Sequence, residues 1–214
     1  MMKQLPTKEE MISSLQARIG VTLQQRFQTA TVAVCGLGGL GSHIAYALAR
    51  AGVGTLILID FDTVDLSNLN RQQYEVSQIG LTKAAALADG IYKAAPYVKI
   101  VSHDVRLTRE NIPSLLRDAD VICEAFDHPD EKSMLVDAVI ETFPEKFIVA
   151  ASGMAGMSDA NRIKTRRITK RFYLCGDGVS DVSDDIGLVC PRVMLCAAHQ
   201  AHTVLRILTG QFDV

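Results

Sequence analysis

A glycine-rich turn near the start of the chain restricts its fold more than any other feature. The mostly apolar residues 31–35 run directly into Gly36-Leu37-Gly38-Gly39-Leu40-Gly41, and a stretch rich in Ala and Leu, 42–51, follows this turn. A strand, a G-x-G-x-x-G turn and a helix in this order give the pattern its meaning. Small residues let backbone N–H groups approach phosphate, and the start of the helix adds a partial positive charge. The turn therefore predicts a nucleotide site, with a tight turn that binds nothing as the alternative.

Strands and helices alternate beyond this first unit. Further strands are predicted at 56–60, 98–105, 121–126 and 147–151, and further helices at 83–95, 108–117 and 131–143. The strand at 56–60 is continuously apolar up to Asp60, as strands covered on both faces of a parallel sheet are. The alternation predicts a Rossmann-like, doubly wound α/β fold with a mainly parallel sheet.

Both ends of the chain add elements to this core. Residues 1–28 are predicted as an N-terminal helical segment, with Thr7 opening a capping box and Gly20 ending the helix that follows. After Gly153 the pattern predicts a polar-faced hairpin over 163–168 and 172–175, a solvated acidic loop over 177–185 and a helix over 193–208. No repeat or linker divides the chain, so we predict one domain over residues 1–214.

Charge and cysteine usage exclude several classes of partner. The chain carries 22 Lys and Arg against 24 Asp and Glu, a net charge of −2, whereas nucleic acid or an anionic membrane would favour a basic excess. No apolar run approaches the roughly 18 residues of a membrane span, and the start resembles no signal peptide. Five cysteines without a Cys-x-x-Cys pair indicate reduced thiols. We therefore expect a cytoplasmic protein with no nucleic-acid or membrane partner.

A carboxylate at the end of the second strand suits the sugar of a nucleotide. Asp60 lies 24 residues after Gly36, where it can accept hydrogen bonds from both ribose hydroxyls and would repel the extra phosphate of NADP. These two features alone indicate a nucleotide without saying which one.

The residues after Asp60 favour a triphosphate over a dinucleotide. A dehydrogenase has no need of the polar segment Asn68-Leu69-Asn70-Arg71-Gln72, whereas a triphosphate needs cations, which Arg71 and Lys83 could supply. Asp127 follows the strand at 121–126, and Mg²⁺ takes one or two carboxylates together with phosphate oxygens. The alternatives are a turn residue at Asn68, a surface cation at Arg71 and a solvated charge at Lys83. The last is disfavoured because a helix N-terminus repels cations.

Taken together, these motifs resemble the ATP site of the ThiF/MoeB/HesA family, the bacterial relatives of ubiquitin-activating enzymes. The resemblance runs from about residue 31 to residue 127, and a Gly-Leu-x-x-Pro-Arg-Val element at 187–193 extends it. The chain as a whole is most similar to short members of the ThiF type. The resemblance implies ATP as substrate and Mg²⁺ as the metal.

The resemblance also implies a role for each matched residue. Asp60 would hold the ribose, Asp127 would bind Mg²⁺, and the remaining nucleotide-binding residues would be Gly36, Gly38, Gly39, Gly41, Asp62, Asn68, Arg71 and Lys83. Family members pair as homodimers in which an N-terminal arginine enters the partner's ATP site. Arg18 is the first candidate for this role and Arg26 the second. The expected catalytic residues are thus Arg18, Arg71, Lys83 and Asp127.

This chain lacks one motif of the family, and for two of its cysteines the sequence does not decide between a catalytic and a packing role. Longer members carry two Cys-x-x-Cys pairs for zinc, and since this chain has none, we expect no zinc site. Some relatives use a cysteine to form a covalent thioester or acyl-disulfide with the carrier protein. Cys175 and Cys190 flank the acidic loop and are the candidates here, with plain packing as the alternative. The acidic loop could also cover the carrier's tail, and a structural role is expected for His199 and His202.

The function implied is adenylation of the C-terminal glycine of a small ThiS-like carrier protein that ends in Gly-Gly, as in the formation of the thiamine thiazole. A molybdopterin-type or other sulfur carrier is an alternative substrate. An NAD-dependent oxidoreductase would explain the glycines and Asp60 but would leave Arg71, Lys83 and Asp127 without a role. A non-catalytic nucleotide-binding protein is the third hypothesis.

Overall fold

A single mixed sheet organises the molecule. The computed structural model describes residues 5–183 and 186–214, and in these residues the strands are β1 (Thr31–Cys35), β2 (Thr55–Asp60), β3 (Lys99–Asp104), β4 (Val121–Glu124), β5 (Phe147–Ala151), β6 (Lys164–Arg167) and β7 (Phe172–Gly176). Their order across the sheet is β3-β2-β1-β4-β5-β7-β6. Neighbouring strands are parallel except for β6, which runs antiparallel to β7. The predicted doubly wound, mainly parallel sheet with a C-terminal hairpin and helix is confirmed.

Helices cover both faces of this sheet. They are α1 (Lys8–Ile19), α2 (Val21–Thr29), α3 (Gly39–Ala51), α4 (Lys83–Ala94), α5 (Ile112–Leu115), α6 (Pro129–Thr142) and α7 (Cys190–Leu208). Short 3₁₀ turns occupy Leu66–Asn68, Val76–Gln78 and Ala160–Arg162. Among the described residues, no helix combines the length and apolar character needed to cross a membrane.

The alternation of side chains along β1 separates two apolar cores. Val32 and Val34 face the core formed with α3, α4 and α7, whereas Ala33 and Cys35 face the core formed with α5 and α6. All four side chains are fully buried. A strand buried on both faces explains why residues 31–35 are mostly apolar.

Several predicted boundaries are wrong for identifiable local reasons. The helix predicted over 108–117 is only Ile112–Leu115, because Pro113 lacks an N–H group and therefore fits only the first turn of a helix. α6 and α7 begin earlier than predicted, since Pro129 and Pro191 fit the first turn of a helix. The N-terminal segment contains two helices, α1 and α2, separated at Gly20.

Two opposite edges of the sheet matter for function. The parallel strands all end at one edge, which we call the carboxyl edge, and the first turns of α3 and α7 lie together there: a Cβ atom on Gly39 would lie 3.0 Å from Cγ1 of Val193. α1 lies at the other edge, because a Cβ on Gly52, at the far end of α3, would lie 3.0 Å from Cδ1 of Leu15. Ligands of open α/β sheets bind at the carboxyl edge.

Candidate functional site

The glycine turn joins β1 to α3 through a backbone path that only glycine permits. A Cβ atom on Gly41 would overlap the carbonyl oxygen of Gly36, so the two ends of the turn pack directly against each other. Gly38 is the N-cap residue of α3, and none of the described side chains caps this helix. The first N–H groups of α3 are therefore available to an anion.

Asp60 fixes the glycine turn from the end of β2. Its Oδ2 accepts the N–H of Leu37 at 2.6 Å and its Oδ1 accepts the N–H of Asp62 at 2.8 Å. Burial raises the pKa of this carboxyl above its ordinary value, and the Lys83 ammonium and these two N–H groups oppose the rise. Each carboxylate oxygen keeps acceptor capacity beyond these bonds, so the ribose role of Asp60 remains a prediction.

Lys83 is a buried cation beside the turn. Its Nζ donates to Oδ2 of Asp62 at 2.7 Å, and its side chain is 8% exposed, so the alternative of a solvated helix-terminal charge is wrong. Tyr74 supports both elements, because its hydroxyl donates to the carbonyl of Leu37 at 2.8 Å and approaches that of Lys83 at 3.5 Å. The structure thus brings Asp60, Asp62 and Lys83 together around the turn.

The segment after β2 places polar groups over the glycines. Cγ of Arg71 lies 3.6 Å from the Cβ position of Gly39, and Nε2 of Gln72 lies 3.7 Å from that of Gly38. The buried Nε of Arg71 and Oε1 of Gln72 have no hydrogen-bond partner within the described residues. The side-chain oxygen of Asn68 accepts the N–H of Asp65 at 3.0 Å, which fixes the start of this segment.

Asp127 follows β4 at the carboxyl edge. Its side chain is 83% exposed, and its neighbours Ala125 and Phe126 pack on Gly36, within 2.9 Å of the Cβ position there. The preceding Glu124 is buried, accepts the N–H of Phe126 at 2.7 Å and pairs with Lys132 at 3.0 Å. Sequence reasoning gave no role to this buried pair, which supports the turn that carries Asp127.

The N-terminal arginines lie away from this site in their own chain. Arg18 is exposed in the last turn of α1, at the edge opposite the carboxyl edge. Arg26 donates to the carbonyl of Thr209 at 2.8 Å, near the end of α7. The structure therefore does not bring either arginine to the glycine turn, and their role in a partner's site stays a prediction.

The two candidate cysteines differ in access. Cys175 is fully buried in β7, where burial raises the pKa of its thiol and Thr165 lies 3.5 Å from its Sγ. Cys190 is half-buried as the first residue of α7. In the residues that the structure describes, no group of three or more His, Cys, Asp or Glu could hold a metal ion, and the absence of zinc remains a prediction. His199 binds Thr165 at 3.1 Å through Nδ1.

The predicted acidic loop begins with a buried residue. Asp177 pairs with Arg192 at 2.5 Å, and their side chains are 2% and 5% exposed, so the prediction that the whole loop is solvated is wrong at Asp177. Asp184 and Asp185 lie outside the described residues. Arg192 belongs to the Gly-Leu-x-x-Pro-Arg-Val element, but no sequence pattern identifies Asp177 as its partner.

The chain is similar in sequence to one protein family and to curated proteins of that family. The model of the ThiF family matches residues 12–213. The adenylyltransferase and sulfurtransferase UBA4 of Kluyveromyces lactis is 35% identical over 199 residues, which are 90% of this chain and 44% of that protein. MOCS3 of Dictyostelium discoideum, also named an adenylyltransferase and sulfurtransferase, is 29% identical over 195 residues, 90% of this chain and 46% of that protein. The chain thus spans less than half the length of these curated relatives.

Solved structures share the fold. The Escherichia coli tRNA N6-threonylcarbamoyladenosine dehydratase TcdA, in complex with AMP, superposes with a TM-score of 0.85 at 20% identity, covering 98% of this chain and 99% of that one. E. coli MccB, solved with ATP, gives a TM-score of 0.69 at 19% identity over 91% of this chain and 59% of that one. At these identities the likeness establishes the fold alone.

Proposed function

The chain belongs to the ThiF family, and from this premise we propose that it is an ATP- and Mg²⁺-dependent adenylyltransferase. Its proposed substrate is the C-terminal glycine of a small ThiS-like sulfur carrier that ends in Gly-Gly. One observation carries the proposal: polar groups gathered at the glycine turn have fewer partners than their chemistry requires. Nε of Arg71 and Oε1 of Gln72 are buried without hydrogen bonds among the described residues. A nucleotide would supply the acceptors and hydroxyl donors that these atoms lack.

The proposed placement of ATP follows from the order of the strands. Its phosphates lie at the N-terminus of α3, where backbone N–H groups and the helix dipole favour negative charge. Arg71 lies over Gly39 and the Lys83 ammonium is within 2.7 Å of Asp62, so two cations flank this position. The ribose lies toward Asp60 at the end of β2.

The exposed carboxylate of Asp127 fits a Mg²⁺ ion shared with phosphate oxygens. Mg²⁺ prefers oxygen ligands and takes one or two carboxylates with substrate phosphates and water. Asp127 offers an oxygen donor that is 83% exposed, on a turn whose neighbours pack on Gly36. When bound, the ion would offset negative charge on the phosphates.

The proposed reaction joins a carboxylate to AMP. An oxygen of the carrier's terminal carboxylate attacks the α-phosphorus, the new O–P bond forms, and the bond from the α-phosphorus to the bridging oxygen breaks as pyrophosphate leaves with the electron pair. No protein base is needed, because an α-carboxyl group with a pKa of about 3.3–3.7 is already ionised at neutral pH. Arg71 and Lys83 contribute position and neutralisation of charge on the phosphates.

A homodimer is part of the proposal. Arg18 lies at the edge of the sheet opposite the glycine turn of its own chain, so it can serve an ATP site only in a partner. Sedimentation at micromolar concentration is expected to give a dimer. A monomer at all concentrations would contradict both the pairing and the role of Arg18.

ATP–pyrophosphate exchange with a panel of Gly-Gly-ended carriers tests the adenylation activity and identifies which class of carrier is the substrate. Exchange is expected with one carrier class, ThiS-like proteins, and none with carriers that lack the terminal glycine. Exchange with a molybdopterin-type carrier alone would keep the chemistry and change the pathway. Binding of NAD⁺ in preference to ATP would favour the oxidoreductase hypothesis.

A carboxylate carried by tRNA is a second candidate substrate. TcdA, named for a tRNA N6-threonylcarbamoyladenosine, covers almost the whole chain. A basic segment, residues 162–171, carries six cations, and none of them forms an ion pair with a carboxylate in the part of the chain described here. Adding tRNA that contains the threonylcarbamoyl carboxylate to the exchange assay distinguishes the candidates.

A further inference from the structure

A buried ion pair ties together segments that lie beside the nucleotide-binding residues. Arg192 donates to Oδ2 of Asp177 at 2.5 Å. The same guanidinium donates through Nε to the carbonyl of Ala155 at 3.0 Å and through Nη1 to that of Ser158 at 2.6 Å. One side chain in the first turn of α7 therefore joins the loop after β5 to the loop after β7.

The loops that meet at this pair fit closely. Oδ1 of Asp177 accepts the N–H groups of Val179 and Ser180, both at 2.9 Å. A Cβ atom on Gly153, whose φ is +80°, would overlap that same oxygen. The loop after β5 therefore packs against Asp177 at a distance that only glycine permits. We call residues 152–159, 177–180 and 187–192 the three-loop assembly, which a bond from the N–H of Gly156 to the carbonyl of Gly187 at 3.0 Å completes.

The three-loop assembly lies beside the proposed nucleotide contacts, on the side away from Asp60. The proposed nucleotide contacts come from β1, β2 and β4, whereas the assembly follows β5 and β7, the next strands across the sheet. The first turn of α7 abuts the glycine turn, since Cγ1 of Val193 is 3.0 Å from the Cβ position of Gly39. A carboxylate that approached the proposed α-phosphate position from the side away from Asp60 would pass these loops.

We propose that Arg192 is a positioning residue for the carboxylate-bearing substrate. Together with Asp177 it holds the three-loop assembly in the shape along which the substrate's tail reaches the nucleotide. The guanidinium is buried and acts through the loops, while Met157 and Val179 on those loops are 71% and 69% exposed and offer apolar contacts to a polypeptide. This inference rests on the proposed adenylation, because it concerns the substrate of that reaction.

Substitutions at Arg192 test this role in the full chain. Arg192→Met removes every polar contact, and Arg192→Lys keeps the charge opposite Asp177 but cannot reach several carbonyls at once. The matched control is Arg206→Met, which breaks the pair with the 90% exposed Asp213 near the other end of the same helix. Three quantities are measured: hydrogen exchange of residues 152–159 and 177–180, the Kd for ATP, and the KM of the carrier in pyrophosphate exchange.

We expect both Arg192 variants to lose exchange protection in the two loops and to raise the carrier's KM at least tenfold, with the Kd for ATP within twofold of wild type. Arg206→Met is expected to change none of these. An unchanged KM despite lost protection, or an ATP affinity that falls in parallel with KM, would overturn the positioning role. If Arg192→Met does not fold, the same three measurements on Arg192→Lys decide between these outcomes. A folded wild-type chain that shows no exchange with any carboxylate substrate would instead refute the proposed adenylation, and with it this inference.

Discussion

Replacing Asp177 with Asn measures what the ionised Asp177 carboxylate contributes to folding. Burial alone would raise the pKa of Asp177, but hydrogen bonds from Ser180, Val179 and Arg192 outweigh burial and lower the pKa from 3.8 to about 2. The folded pKa lies below the unfolded one, so ionisation stabilises the fold above the unfolded pKa, and this stability is lost as the pH falls through 2. At about 1.36 kcal/mol per pKa unit, the contribution at neutral pH is about 2.5 kcal/mol.

Urea unfolding of the wild type and Asp177→Asn at several pH values checks this magnitude. The variant is expected to be less stable by about 2.5 kcal/mol at pH 7, and the gap to shrink to about half near pH 3. Leaving Arg192 uncompensated can increase the loss to about 3–5 kcal/mol, the range for breaking a buried pair. Asp213→Asn, which breaks the pair between the 90% exposed Asp213 and Arg206 of α7, is the control and should have no measurable effect. A gap that does not change with pH would refute the reasoning.

Four further substitutions test the site. Asp127→Asn is expected to leave ATP affinity nearly unchanged but to lower pyrophosphate exchange about 100-fold or more, because an amide cannot neutralise Mg²⁺; near-wild-type turnover at saturating Mg²⁺ would contradict the assignment. Cys175→Ala and Cys190→Ala should each retain exchange within about a factor of three, since a carboxylate attacks ATP without a thiol; loss of exchange in a folded variant would show otherwise. Lys83→Met should weaken ATP binding about tenfold by calorimetry, because the phosphates lose a buried cation while Asp62 keeps its charge; an unchanged Kd would place Lys83 outside the site.

Local sequence patterns predict much of this fold for a physical reason. The glycine turn, the apolar strand before it and the helix after it are neighbours in sequence, so residues 31–51 specify their own geometry. The parallel order of the strands follows from alternation with helices. The same reasoning fails at α5, where composition predicts a helix from residue 108 but Pro113, which lacks an N–H group, fits only the first turn of the shorter helix.

The candidate site is partly hidden from sequence reasoning because its supports are distant in the chain. Tyr74 reaches the carbonyl of Leu37 across 37 residues, and Arg192 reaches Ala155 across the same number. An acidic loop also looks solvated in sequence, because nothing there shows that Asp177 meets a guanidinium in the fold. Residues that bind ligands recur in motifs, whereas those that hold the loops in place become visible only in three dimensions.

The charged strand β6 has a consequence for how copies of this chain can associate. As one of the two outer strands of the sheet, it presents backbone groups that could template pairing with another molecule, a known route to aggregation of β-proteins. Two copies joined along β6 would crowd the Lys164, Arg166 and Arg167 side chains of both copies together, with strands only about 5 Å apart. This repulsion disfavours pairing of two copies along β6, so we expect the proposed dimer to form through another face of the molecule.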